Sequence, residues 1–502
     1  MVNNMRIFKK FVHGIQDFLR GETRDDVPPE AFRVDEIKPE FDRFSDYLNY
    51  AAYFEQEQVF VLENTRSPRS VIGLGFCLEL NPLIGANDET MAQFRSVYEA
   101  MPEKTGLQIS LFGSPDIRDY LTRYENAQSR RMDGSRSLFA ELAIRRTDYW
   151  KKASREQLFL GNPLRFREMR CVLSFVLPAD EIKERDLDAI LEIRSEMISI
   201  LKSMNMFSHV WIGTELIRWT RKLLNPHLLF QLENNMNEGE YDELRPLHHQ
   251  IIASNTLMRV MDSGEELVFG SKKHNTKIAV RSFSIGDYPN QFHLGEFTNL
   301  LGSPVYSSIN YPCPFLITIC ARRTEYDKEK AIAQLKFSRA AQVAGTKIGS
   351  MSPEFAKRAA DWSVAQESFE DGAGGLMHLH MQLTLFDTVD NLDNSTAMAH
   401  KIWKSKGFEL YADDYLQAQD LQLALPMAMD NDMMGDLDRF KRWHTKTMTN
   451  LLSLSPVVGD WSGVGEPVIG LVSRRGQVMG FDLFANNSGN YKSVIENIGV
   501  ID

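Results

Sequence analysis

Apolar residues in this sequence fall into two kinds of stretch. Strand-length runs, of which Phe315 to Ala321 is the most continuous, alternate with longer segments in which apolar residues recur every three or four positions. Neither kind approaches the roughly 18 to 20 consecutive apolar residues that cross a bilayer. A chain patterned this way buries itself by layering helices on a sheet. Composition agrees, since 43% apolar and 25% charged residues are globular values that exclude a disordered or collagen-like chain. At roughly 150 residues per domain, the 502 residues predict about three folding units. Cys77, Cys171, Cys313 and Cys320 are widely spread with no C-x-x-C pair, so neither a disulfide framework nor a zinc knuckle is indicated and a reducing cytoplasm is the default.

The opening segment stands apart from this pattern. Met5, Phe8, Phe11, Val12, Ile15, Phe18 and Leu19 recur at helical spacing, while Arg6, Lys9, Lys10 and Arg20 face a single Asp17. This is a basic amphipathic helix ending near Gly21. Its apolar stripe fits the chain's own core, a partner protein, or the headgroup layer of an anionic membrane, where each surface cation adds about 1 kcal/mol. Thr23 to Pro39, with Val27-Pro28-Pro29, reads as a tether, giving a leader and tether over residues 1–39.

Residues 40–224 read as a first α/β domain. Gln58 to Glu63 and Ser70 to Leu80 are strands; Asn87 to Met101 is a helix capped by Asn87; Leu107 to Phe112 is the next strand. The charged stretch Ser114 to Lys152 is helical, with its arginines interleaved by Asp116, Asp119, Glu125, Glu141 and Asp148. That interleaving describes a solvated ion-paired face rather than a groove that tracks phosphates. Glu168 to Leu177 is a strand and Ala179 to Met204 a long helix. Residues 225–311 carry a weaker signal, an insertion or strand-rich subdomain. Residues 312–454 form a second α/β domain: a strand at Pro314 to Arg322, helices at Glu325 to Ala344 and Pro353 to Glu370, a strand at Leu376 to Phe386, and a helix at Leu392 to Ser405. Short strands at Phe408 to Tyr411 and Leu421 to Pro426 complete it, and residues 455–502 form a terminal hairpin region. The fold class is therefore α/β in the α+β sense, with ferredoxin-like strand-helix-strand units and long helical insertions. No sequence repeat of fixed period is visible.

Candidate chemistry is sparse. His378 and His380 share one face of a strand, a spacing metals use, yet local spacing ties no third ligand to them. His248 and His249 are adjacent and would point apart in a strand. The phosphate-binding pattern G-x-x-x-x-G-K-[ST] does not occur in the sequence. Gly345 to Ser350 places its Lys between the glycines, and Gly270-Ser271-Lys272 lacks the upstream glycine. No catalytic, cofactor or metal residue is assigned.

The tail is more specific. It reads Ser455-Pro456-Val457-Val458-Gly459-Asp460-Trp461, then Pro467-Val468-Ile469-Gly470-Leu471-Val472-Ser473-Arg474, then Gly480-Phe481-Asp482-Leu483-Phe484 and on to Asn490-Tyr491. This resembles the segment leading into the motor domain of TraC, the ATPase of F-type conjugative type IV secretion systems. Gly73-Leu74-Gly75-Phe76-Cys77-Leu78-Glu79, Gly85-Ala86-Asn87-Asp88, Cys313-Pro314-Phe315, Lys406-Gly407-Phe408 and Leu425-Pro426-Met427 are similar to stretches of that family in the same order. After Tyr491 the sequence resembles the family's Y-K-S-x-x-E-N segment, which lies beyond the phosphate loop. The resemblance thus implies a chain without the loop region and with no complete nucleotide-binding motor domain, inactive alone as an ATPase.

What the resemblance implies is a non-catalytic assembly and docking portion of a conjugation ATPase, serving pilus assembly and plasmid DNA transfer. It would sit in the cytoplasm, peripheral at the inner membrane, bound to inner-membrane secretion-complex proteins and self-associating, hexameric by family analogy. The leader residues Phe8, Lys9, Lys10, Phe11, Val12, Ile15, Phe18 and Leu19 would dock it. ATP and magnesium are implied for full-length members, with no cofactor for this chain, and no direct nucleic-acid binding is expected. The alternatives are an ATPase subunit whose motor domain is missing from this chain, and a metal-dependent hydrolase using His378 and His380.

Overall fold

A computed structural model describes residues 44–64, 71–129, 138–157, 163–230, 239–271, 277–306, 308–344, 346, 353–370, 375–463 and 467–482. The leader residues Phe8 to Leu19, and most of Gly345 to Ser350, lie outside them.

After a 3-10 turn at Phe44–Tyr47, the described chain forms strands β1 (Tyr50–Phe54), β2 (Val59–Glu63) and β3 (Val71–Leu80), followed by helix α1 (Asp88–Glu99) and β4 (Gly106–Ser114). Helices α2 (Arg118–Ser129) and α3 (Leu138–Arg155) lead to β5 (Glu168–Pro178), α4 (Glu184–Ser203), β6 (Ser208–Val210) and α5 (Gly213–Leu224). Next come β7 (Thr256–Val260), β8 (Leu267–Ser271), β9 (Ile278–Asp287), a 3-10 helix at Leu294–Leu301, and β10 (Phe315–Arg323). Helices α6 (Tyr326–Ala344) and α7 (Pro353–Glu370) precede β11 (Leu376–Thr388), α8 (Leu392–Lys404), β12 (Glu409–Ala412) and α9 (Gln417–Leu423). The described chain closes with α10 (Asn431–Arg439), β13 (His444–Thr447), α11 (Met448–Leu454) and the hairpin β14 (Ile469–Val472) and β15 (Val478–Phe481).

Apart from that hairpin, the named strands join one sheet in the order β1-β2-β3-β5-β4-β10-β11-β9-β8-β7, with β6 on β3, β12 on β9 and β13 on β11. The order contains a duplication. Within the first half the path β6-β3-β5-β4 is the ferredoxin-like arrangement, β3 and β4 flanking the antiparallel β5. In the second half β12-β9-β11-β10 repeats it. Each half adds an N-terminal hairpin, β1-β2 or β7-β8, and each inserts a pair of helices, α2-α3 or α6-α7, between its second and third strands. The halves meet where β4 pairs antiparallel with β10, Phe315 opposite Gly113 and Arg322 opposite Gly106. The expected ferredoxin-like units with long helical insertions are therefore present.

The period of two along the central strands explains the layering. Leu107, Ile109 and Leu111 of β4, Phe315, Ile317 and Ile319 of β10, and Met381, Leu383 and Leu385 of β11 all enter one core. There they meet Phe94 and Val97 of α1, Ile190 and Met197 of α4, and Ile402 and Trp403 of α8. Asn87 starts α1 by accepting a hydrogen bond from the Thr90 amide at 2.8 Å, as its position predicted.

The alternating residues on the opposite face are polar at the centre of the sheet: Gln108, Ser110, Ser174, Ser282, Thr318, Gln382 and Thr384, all buried. A crossing segment, residues 417–430, helical in α9 and irregular after it, lies over them. Gln108 Nε2 donates to the Leu423 carbonyl at 2.5 Å and Gln382 Nε2 to that of Asp420 at 2.8 Å. The Met427 amide donates to Ser174 Oγ at 2.8 Å, and Gln417 Nε2 to the Ser282 carbonyl at 3.0 Å. Such bonds satisfy backbone groups that a non-repetitive buried segment otherwise leaves bare.

This stripe also corrects the expected strand at Leu421 to Pro426. Its first residues end helix α9, because Gln417 and Asp420, three apart, must both reach buried partners, and only helical spacing puts them on one side. Burial holds the Asp420 carboxyl above the usual carboxylate range although it touches Arg442. The methionines that follow fill the core: Met427, Met429 and Met434 are buried. In residues 225–311, whose topology the sequence did not resolve, the described strands are β7, β8 and β9.

The charged segment is ion-paired as its composition predicted, with Arg145 bound to Glu141 at 2.6 Å and Lys151 to Asp148 at 3.3 Å. At its root, Asp116 sits 2.7 Å from both Arg118 and Lys222, tying α2 to α5. Burial raises the proton affinity of Asp116, but the two cations outweigh it and hold the carboxyl far below its ordinary range.

Two outcomes are expected. A Cβ at Gly106 would sit 2.6 Å from the Met429 Cβ, so Gly106→Val should cost about 1–3 kcal/mol in urea unfolding without changing the slope. Asp116→Asn should cost roughly 1.5–3 kcal/mol at pH 7. Because the folded proton affinity is depressed, that contribution is fully present above the unfolded value, about pH 4, and is lost progressively as pH falls from there toward the far lower folded value. Melting curves of wild type and variant should therefore converge on acidification; a constant gap would contradict the assignment.

Candidate functional site

The junction of the two halves encloses a cavity of about 90 Å³. Gly113 lies at the end of β4 and Pro115 just after it, Arg155 ends α3, Arg165, Phe166 and Arg167 lead into β5, Pro312-Cys313-Pro314 precede β10, and Asp387 and Thr388 end β11. Chain segments from both halves therefore converge on it, a common place for a binding site. The hairpin β14-β15 lies alongside: the Arg167 amide donates to the Gly476 carbonyl at 2.8 Å, and the Val478 amide to the Arg167 carbonyl at 3.0 Å. Gly476 adopts φ +94°, and a Cβ there would lie 2.0 Å from the Arg165 carbonyl oxygen, so this close approach requires glycine.

Each arginine is held by neutral oxygens. Arg165 Nε donates to the Pro312 carbonyl at 3.2 Å, and Arg167 Nη2 to the Tyr311 carbonyl at 2.6 Å. Arg155 Nη1 reaches the Lys151 carbonyl and Ser154 Oγ, both at 3.4 Å. Arg167 is 2% exposed, and burial lowers its proton affinity to about 10. Burial also lowers Arg155 and Arg165. Asp387 is buried too, and each of its oxygens accepts one hydrogen bond, from the Thr388 amide at 2.7 Å and Ser395 Oγ at 2.5 Å. Burial pushes its carboxyl upward. Cys313 is no nucleophile, since burial drives its thiol up to about 12. The cavity lining carries an excess of fixed cationic donors.

The histidines behave differently from one another. His378 and His380 do lie along β11, but His380 is buried, its Nδ1 donating to the Arg442 carbonyl at 3.3 Å. Burial first, and then the Arg442 cation, push it down to about 3. His378 lies opposite Arg322 across the ladder and packs on Trp443 at 5.9 Å. Flanking guanidinium groups disfavour a bound cation there. Among the described residues, the side chains close enough to hold a metal ion are instead Asp46, His248 and His249, with ligand atoms within 4.8 Å of one another.

His248 and His249 do not sit in a strand. They belong to a 3-10 turn, Leu247–Gln250, which brings their ring centroids to 4.3 Å. His248 Nδ1 donates to the Tyr50 carbonyl at 2.8 Å and lies 3.3 Å from Glu63, while His249 Nε2 lies 3.5 Å from Asp46. These contacts fasten the turn to the β1-β2 hairpin. A sequence pattern of two adjacent histidines carries no sign of that geometry.

The two inserted helical arms differ in their surroundings. Tyr120, Leu121 and Trp150 of α2-α3 pack with Val478 of the β14-β15 hairpin, and Tyr120 stacks on Trp150 at 5.5 Å. The α6-α7 arm has a small core of its own, Ala333, Ala365 and Phe369 with Leu376. Lys336 lies over Trp362 at 4.6 Å, while Leu335 and Val364 are 51% and 56% exposed.

Residues 44–429, well over half of the chain, match the family model described as TraC protein. No curated protein matches the chain.

Proposed function

The chain belongs to the TraC family and is a component of conjugative type IV secretion; from that premise we propose that its described part is an assembly and docking module rather than a catalytic one. The observation that carries this reading is the apolar exposure of the inserted helices. The α2-α3 arm packs the chain's own hairpin through Tyr120, Leu121 and Trp150 while Leu142 and Ile144 stay exposed, and α6-α7 presents Leu335 and Val364 to solvent. Exposed apolar residues on a projecting helical pair suit a partner surface. The partner class is the set of inner-membrane proteins of the secretion complex, and self-association, hexameric by family analogy, belongs to the same reading. No described helix is long and apolar enough to cross a membrane, so contact with the inner membrane would be peripheral, through the basic stripe Phe8 to Leu19. Pilus assembly and plasmid transfer are the processes such docking would serve.

Leu335→Asp combined with Val364→Asp should leave stability within about 0.5 kcal/mol of wild type, because both side chains are surface-exposed, while plasmid transfer by a strain carrying the variant falls at least tenfold. Undiminished transfer at normal protein level would contradict the docking role of the arm. Separately, Phe11→Asp with Ile15→Asp should release the protein from inner-membrane fractions without shifting its melting temperature. A large stability loss would mean instead that the leader packs on its own protein. Tight magnesium-dependent ATP binding by the purified chain would favour the ATPase-subunit reading over this one.

A further inference from the structure

The arginine cavity has no part in the docking proposal, and its charge balance requires explanation. Arg155 Nε, Arg165 Nη1 and Arg167 Nη1 are buried donors without an acceptor. Among the described residues none of the three arginines forms an ion pair, although ion pairs engage Asp116, Glu79 and Asp460 nearby in sequence or space. Leaving a buried guanidinium N–H unpaired is costly, and three on one small cavity point to a missing acceptor. Water can satisfy a donor, but it leaves the positive charge uncompensated.

We propose that the cavity binds a phosphate-class oxyanion, with Arg167 as the buried anchor and Arg155 and Arg165 completing the cationic wall. A tetrahedral oxyanion supplies several strong acceptor oxygens, and guanidinium forks match that geometry. About 90 Å³ accommodates a phosphate group. Asp387 lines the same cavity but is turned to Thr388 and Ser395 and forms no ion pair with the three arginines. The bound group would be free inorganic phosphate or the terminal phosphate of a small monoester. Since Arg167 also pairs through its backbone with Gly476 and Val478, an occupied site would brace the tail hairpin against both halves of the sheet.

The test uses the full chain and titrates inorganic phosphate and, separately, glycerol phosphate, against sodium chloride at matched ionic strength. Melting temperature and calorimetric heat are read together. A saturable rise in melting temperature with phosphate, absent with chloride, supports the site; saturation only with glycerol phosphate assigns it to a monoester. A response no greater than that of chloride for either compound overturns the proposal, whatever the variants do. Arg165→Gln should weaken the apparent affinity at least tenfold, and Arg165→Lys, which keeps the charge but loses the fork, should fall between the two. Equal affinity in wild type and a folded Arg165→Gln would also overturn it.

Discussion

The architecture depends on the antiparallel pairing of β4 with β10. These two strands belong to different halves of the duplicated sheet, and among the described residues no other strand ladder joins the halves. Every residue of β4 is buried, so the junction has no face available to water. One face is closed by the helices of both halves, which is the usual solution for an apolar sheet surface. The other is closed by a segment without continuous regular structure, and this requires side chains that accept and donate on behalf of its backbone. Gln108, Ser110, Ser174, Thr318 and Gln382 are those side chains, and Ser110 and Thr318 themselves meet across the junction at 3.2 Å. At net values near about 1 kcal/mol per hydrogen bond, the stripe matters less for its sum than for the cost of leaving any member unpaired.

Duplication with divergence explains how one fold gives three different surfaces. The helical insertions occupy equivalent places in the two halves, but because β4 and β10 run antiparallel they leave the sheet at opposite ends. The tail hairpin packs on the α2-α3 insertion. The cavity lies at that end, where the start of β10 and the end of β11 meet the end of β4 and the start of β5. The proposed docking surface on α6-α7 and the proposed anion site are thus at different places, and each is open to test without the other. The histidine turn on the β1-β2 edge is a third location, fastened by Tyr50, Glu63 and Asp46.

Much of the fold was legible in the sequence because its strands and helices are long and strongly periodic. The helices at Tyr326–Ala344 and Pro353–Glu370, the Asn87 cap, and strands β3, β5, β10 and β11 follow directly from apolar spacing and cap chemistry. The duplication was not legible, since equivalent order of elements needs only equivalent patterning and leaves no repeat of fixed period. The end of α9 was misread because a short apolar run fits a strand or a helix equally until its polar members find partners. The site fared less well. His378 and His380 stood out by spacing, while the arginines of the cavity come from two stretches, residues 155 and 165–167, that no local motif connects.

By itself the sequence determined the layer type, the central strands, the helical insertions and the family, because each of these is written in local periodicity or in short ordered motifs. Only the tertiary structure decided that two halves close edge to edge, that the tail hairpin packs on the α2-α3 arm, and that three arginines share a cavity with Asp387 without forming an ion pair to it. Those facts depend on contacts between residues hundreds of positions apart, which burial and charge select only once the chain has collapsed into a single sheet.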